Sequence, residues 1–223
     1  MTRARYHIRF SKTGPLRWIS HRDLLRLWER LFHRIDLKLA MTEGFHPKPR
    51  MNFPSALALG TASLDEIVEL ELAEPLSTEE LTQRLCDDQQ PGLEILRVTA
   101  VPEGWPKAKL KSTTYNLPIP EADRETLLKE IEALRQRDTI QLERKGKTLV
   151  FSLSAEIEHL GIEDGVLVFR CTPDQGASLR PTDLIEELKI IHLTDNGQFL
   201  TRTRVELENE FESTTSVTGQ LTS

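Results

Sequence analysis

From Arg3 to Phe10 apolar and polar positions alternate without a break, with Ala4, Tyr6, Ile8 and Phe10 on one side and Arg3, Arg5, His7 and Arg9 on the other. A period of two predicts a strand with one apolar and one basic face. Lys12-Thr13-Gly14-Pro15 turns the chain, and the period then changes. Leu24, Leu25, Leu27, Trp28, Leu31, Phe32 and Ile35 recur at helical spacing and predict a helix from His21 to about Asp36. Ser20 is its N-cap, Asp23 completes a capping-box-like pair, and Ile19 can staple onto Leu24. Leu37 to Met41 reads as a short strand. Gly44-Phe45-His46-Pro47-Lys48-Pro49-Arg50 cannot continue a helix or a central strand and reads as a rigid loop reaching to Pro54. Ser55 to Gly60 reads as extended, Glu66 to Ala73 as a strand, Ser77 to Asp87 as a capped helix and Leu93 to Val101 as a strand.

Strand, helix, strand, strand, helix, strand is the split βαβ, or ferredoxin-like, order. Pro102 to Pro106 and the lysines after it read as a linker. The second half repeats the order: a strand from Thr113 to Leu117, a helix from Pro120 to about Arg137, and a hairpin of Thr139 to Arg144 with Thr148 to Ser154. A strand from Gly165 to Thr172, a helix from Pro181 to Lys189 and a strand from Phe199 to Leu207 complete it. The expected fold is α+β: two tandem ferredoxin-like units, antiparallel sheets with helices on one face. The expected divisions are 1–102, a linker at 103–112, a second domain at 113–208 with one extra strand, and a disordered tail from 209 to 223, where periodicity ends.

Charge changes this picture in one respect. The net charge is -6, yet residues 1–54 carry twelve Lys or Arg against four Asp or Glu, a balance of +8, with four of the six histidines. A cationic face on an otherwise acidic chain suits a specific anionic partner. No stretch approaches the roughly 20 apolar residues of a membrane span, and Met1 to His7 lacks a signal peptide's apolar run, so the cytoplasm is expected and no membrane. Cys86 and Cys171 are read as buried small hydrophobes, and two cysteines cannot build an iron–sulfur cluster or a Cys-rich zinc site.

Two kinds of chemistry compete for the basic segment. Arg3, Arg5, Arg9, Lys12, Arg22, Arg26, Lys48 and Arg50 can meet phosphates while Phe45 and His46 offer rings to bases, which suits RNA. Equally, Glu69 and Glu71 can pair with Arg5, His7 and Arg9 across the ladder. For catalysis, His21 at a helix start is disfavoured as a cation and can act as a base, with His46 as its companion. No triad spacing, phosphate loop or metal-ligand spacing accompanies them, so no metal is expected. Gly176-Ala177-Ser178-Leu179-Arg180-Pro181 before a helix is a further candidate for holding an anion.

Trp18-Ile19-Ser20-His21-Arg22-Asp23 with Arg26 and Arg30, then Gly44-Phe45-His46-Pro47-Lys48-Pro49, Ser55-Ala56-Leu57, Leu59-Gly60, Ser63 and Glu66, resemble the radical-SAM-associated (radical-SAM-linked) family of unknown function. Its members occur as separate chains or as a C-terminal extension of a cobalamin-binding-type radical SAM protein. The resemblance implies a radical SAM partner that carries the iron–sulfur cluster and S-adenosylmethionine, no cofactor in this chain, and no catalytic residue to carry over. The expected function is a non-catalytic accessory module that brings RNA or another anionic substrate to that partner. The alternatives are a protein-only scaffold, or a metal-independent RNA-cleaving or RNA-modifying enzyme using His21, with architectural similarity to CRISPR-repeat-processing endoribonucleases.

Overall fold

In the computed structural model, residues 3–88, 90–173 and 178–211 are described. The chain divides into two compact units, Met1–Lys109 joined by Leu207–Ser223, and Leu110–Glu206.

The first unit runs β1 (Ala4–Lys12), α1 (His21–Arg34), β2 (Met51–Asn52), β3 (Ala62–Leu72), α2 (Thr78–Asp87) and β4 (Leu93–Val101). β1 lies between β4 and β3, antiparallel to both, and β2 pairs antiparallel with β3. The order β4-β1-β3-β2 is that of a ferredoxin-like sheet. The alternation of β1 explains the layering: Tyr6, Ile8 and Phe10 join Val68, Leu70 and Leu72 of β3 against Leu24, Trp28, Leu31 and Phe32 of α1 and Leu81 and Leu85 of α2. Phe10 meets the Trp28 ring edge-on at 4.8 Å. α1 starts at its predicted cap, where the Ser20 hydroxyl accepts the Asp23 amide at 3.2 Å and donates to the Asp23 carboxylate at 2.7 Å. Gly92 closes the far end of β1 against β4. Its carbonyl accepts the Thr13 amide at 2.8 Å, and at φ +83° a Cβ would lie 2.6 Å from the Thr13 carbonyl oxygen.

Three expectations for this unit need correction. Leu37 to Met41 is no strand; it contributes bridges from Leu39 to Leu72 and from Met41 to Pro49, and the second strand is the later Met51–Asn52. The reason lies in the prolines at 47, 49 and 54, which bring no N–H to a ladder and confine regular pairing to two residues. Ser55 to Gly60 forms no strand either. Cys86 is exposed, because Leu81 and Leu85, four residues apart, take the buried face of α2.

The second unit runs β5 (Leu110–Pro118), α3 (Glu121–Arg135), β6 (Thr139–Arg144), β7 (Lys147–Ser152), α4 (Leu153–Glu156), β8 (Ile157–Glu163), β9 (Val166–Cys171), α5 (Pro181–Glu187), α6 (Ile191–Asp195) and β10 (Thr201–Leu207). Its order β10-β5-β9-β8 repeats the ferredoxin-like arrangement, so the fold class is α+β with two such units in tandem. Among the described residues β6 and β7 pair with each other alone, as a hairpin inserted in the sequence between α3 and the sheet's edge strand. The edge strand, β8, is not legible in the sequence, because a register shift between Ile157 and His159 breaks the alternation of its apolar residues. Leu117, Phe169, Leu127, Ile131 and Leu184 lie at the centre of this core.

Cys171 is buried here, and that burial, with the nearby Glu156 carboxylate, pushes its thiol up to about 12. Of the proposed anion-holding stretch, Gly176 and Ala177 lie outside the described residues, while the Leu179 amide donates to Glu156 at 2.5 Å. The tail needs correcting as well: residues 209–211 are tied to the first unit, and 212–223 lie outside the described residues. Among the described residues no helix is long and apolar enough to cross a membrane.

Candidate functional site

The basic face of β1 is built by register. His7 stands opposite Glu69, Arg5 opposite Glu71 and Arg9 opposite Ile67. The His7 Nε2 lies 3.0 Å from a Glu69 carboxylate oxygen, Arg5 approaches the same oxygen at 3.7 Å, and the Ala108 amide donates to it at 3.0 Å. Burial works against the Glu69 charge, but the His7 hydrogen bond, the Ala108 amide and Arg5 outweigh it and hold the pKa below the usual carboxylate range. An ionised carboxylate only accepts, so His7 carries its proton on Nε2. Arg9 donates to both oxygens of Asp65 at 2.7 Å and pairs with Glu210. Burial opposes the Arg9 charge too, and Asp65 and Glu210 overcome it, raising the pKa above the ordinary value.

The stretch expected to be a linker completes this face. Arg5 donates to the Trp105 carbonyl, and the Trp105 indole donates to the Asn209 carbonyl at 3.1 Å. Beside it lies a groove of about 540 Å³ lined by Thr42, Arg50, Asn52, Glu69, Glu71, Lys107 and Lys109 among others. Arg50 is partly spent there, 3.6 Å from Glu71 and donating to the Met41 carbonyl at 3.2 Å. Lys109 pairs with Glu208 at 2.7 Å.

The Gly44 to Pro49 loop is the tip of a short hairpin. The Thr42 amide donates to the Lys48 carbonyl at 2.8 Å, the Lys48 amide to the Thr42 hydroxyl at 3.0 Å, and the Arg50 amide to the Ala40 carbonyl at 2.8 Å. This frame holds Phe45, His46 and Lys48 out in solvent, Phe45 with a relative exposure of 102%. On α1, Arg22, Arg26 and Arg30 are exposed; Arg26 lies 3.5 Å from Asp23 and Arg30 donates to the Arg26 carbonyl at 3.2 Å. Arg34 at the end of the row pairs with Asp88.

The proposed residues therefore fall into separate groups. Arg5 and Arg9 are engaged inside the sheet face. Lys12 is buried and donates to the Ile19 carbonyl at 3.2 Å. Arg3 is exposed ahead of β1, and Arg22 and Arg26 lie on the helix. His21 is half-buried, its ring edge-on to Phe53 at 5.5 Å. The groove takes Arg50 but not His21, His46 or Lys48. Sequence reasoning missed Arg97, Trp105, Lys107, Glu210 and Phe211. The lysines and Trp105 were visible as a basic, aromatic-bearing stretch, whereas nothing local marks Glu210 and Phe211.

Two ferredoxin-like units, one with a paired basic sheet face and a ring-bearing hairpin, place the chain in a class of small α+β proteins. Residues 5–181 match the family described as "Uncharacterized protein conserved in bacteria (DUF2344)", and the chain belongs to that family. No match is found among curated proteins. Among solved structures the chain is similar to the small subunit of acetolactate synthase from Thermotoga maritima, at 9% identity over 96% of this chain and 100% of that one. Its TM-score of 0.30 is too slight to bear on function.

Proposed function

We propose that the chain is a cytoplasmic, non-catalytic recognition module that presents a single-stranded or looped RNA to a radical SAM partner, the partner supplying the iron–sulfur cluster and S-adenosylmethionine. The observation that carries this reading is the hairpin tip. An aromatic ring, an imidazole and an ammonium group are held in solvent by three backbone-anchored bonds, with proline on both sides of Lys48. A stiff projection of this kind binds with little ordering cost. A ring that every base can stack on, next to cations for the phosphates, is the chemistry of unpaired RNA. The exposed row Arg22, Arg26 and Arg30 extends the cationic surface.

The test is fluorescence anisotropy of labelled tRNA and of a single-stranded oligonucleotide across a salt series. Affinity falls with salt, and Phe45→Ala with Lys48→Ala weakens it about tenfold or more, in line with the loss of one stacked base. Absence of binding at low salt removes RNA from the proposal. Co-purification with a radical SAM protein from a bacterium encoding both tests the remaining half, and leaves a protein-only scaffold if only that half survives.

A further inference from the structure

The segment after β10 returns to the first unit and lies on the basic sheet face. Glu210 sets its carboxylate between two arginines, pairing with Arg9 and lying 3.7 Å from Arg97. The neighbouring Phe211 ring sits 5.4 Å from the His7 ring and 5.6 Å from that of Trp105. Beneath it only a void of about 10 Å³ is left, lined by His7, Arg9, Ile67, Arg97, Thr99 and the segment itself. A carboxylate on two guanidinium groups, with a ring tilted against an imidazole and edge-on to an indole, has the layout of one nucleotide: phosphate on arginines, base against rings.

The hold on this segment is light. Besides the pairs just named, the contacts seen among the described residues are the Trp105 indole bond to Asn209, the Glu208 amide bond to the Lys109 carbonyl at 2.9 Å and the Glu208–Lys109 ion pair at 2.7 Å, and Glu210 keeps 43% of its side chain exposed. The exposed ends of these pairs, Glu210 and Arg97, are screened by solvent, which weakens their hold, while Arg9 is the buried end. Arg9 keeps Asp65 when Glu210 leaves, and Arg97 remains in place on β4.

We propose that Arg9, Arg97, His7 and Trp105 form a nucleotide-binding site which the chain's own Glu210–Phe211 occupies as a displaceable strap. The inference rests on the RNA reading above and adds to it a second contact point with a built-in competitor. A strap that is closed most of the time lowers the apparent affinity of the site by the fraction of time it is open.

The test uses the full chain and a fluorescein-labelled ten-residue oligouridylate. The double variant Glu210→Ala, Phe211→Ala binds about tenfold tighter than the parent, as expected for a strap closed about nine-tenths of the time, and adding Arg97→Ala abolishes the gain. Glu210→Gln, which keeps the segment's size and guards against misfolding, gives a smaller gain in the same direction. Equal affinity of parent and strap variants overturns the inference. If both bind, RNA recognition stands without the strap; if neither binds, both ideas fall. A gain that persists with Arg97→Ala overturns it as mere loss of a negative charge. Complete competition by polyglutamate at equal charge overturns the nucleotide as occupant in favour of an acidic peptide.

Discussion

At Glu69 one carboxylate, 4% exposed, faces Arg5, His7 and the Ala108 amide at once. Its pKa is lowered on folding, so it contributes stability that is complete above its unfolded value and is lost as the pH falls through the lower folded value. Urea unfolding followed across the acid range should therefore show the midpoint dropping below the ordinary glutamate pKa of 4.5, and Glu69→Gln should flatten that limb. Glu69→Ala, which leaves the buried His7 N–H and the Ala108 amide without their acceptor, should cost about 1–3 kcal/mol at neutral pH. The components of this cluster were readable in advance: strict alternation placed Arg5, His7 and Arg9 on one side of a strand and Glu69 and Glu71 on a matching side of another. What alternation could not decide was whether they meet, because that depends on register. The approach of Trp105 and of Glu210 from about 100 and about 200 positions away leaves no local periodic trace at all.

Among the elements, α1 was the most legible, because its cap, its apolar stripe and its acidic first turn agree with one another. Ser20→Ala removes the hydroxyl that holds the Asp23 amide and should cost about 1 kcal/mol, read as a lower thermal midpoint with the α1 fold retained. β2 and β8 were the least legible, one shortened by prolines and the other bulged, and both belong at sheet margins where such irregularity is tolerated. The hairpin between Ala40 and Arg50 was expected as a stiff loop, but its internal bonding was not. Thr42→Ala deletes the hydroxyl that accepts the Lys48 amide; it should raise amide exchange at the hairpin while leaving β1 and β3 protected.

At the level of the whole chain, a division near residues 103–112 was expected, and the units divide after Lys109. The return of the chain to the first unit after Glu206 was not expected, since a Ser- and Thr-rich end has no pattern that announces a docking site. A chain ending at Leu207 should show faster amide exchange in β1 and β4, which lose the cover of Glu210 and Phe211, and unchanged protection in β5 and β9. Lys109, the last residue before the second unit, and Glu208, the second residue after it, are hydrogen-bonded to each other through their backbones and again through their side chains. Each residue donates once and accepts once, a reciprocal clasp where the chain leaves the first unit and re-enters it. Lys109→Ala removes the side-chain half of the clasp and should therefore speed exchange of the Glu208 amide proton.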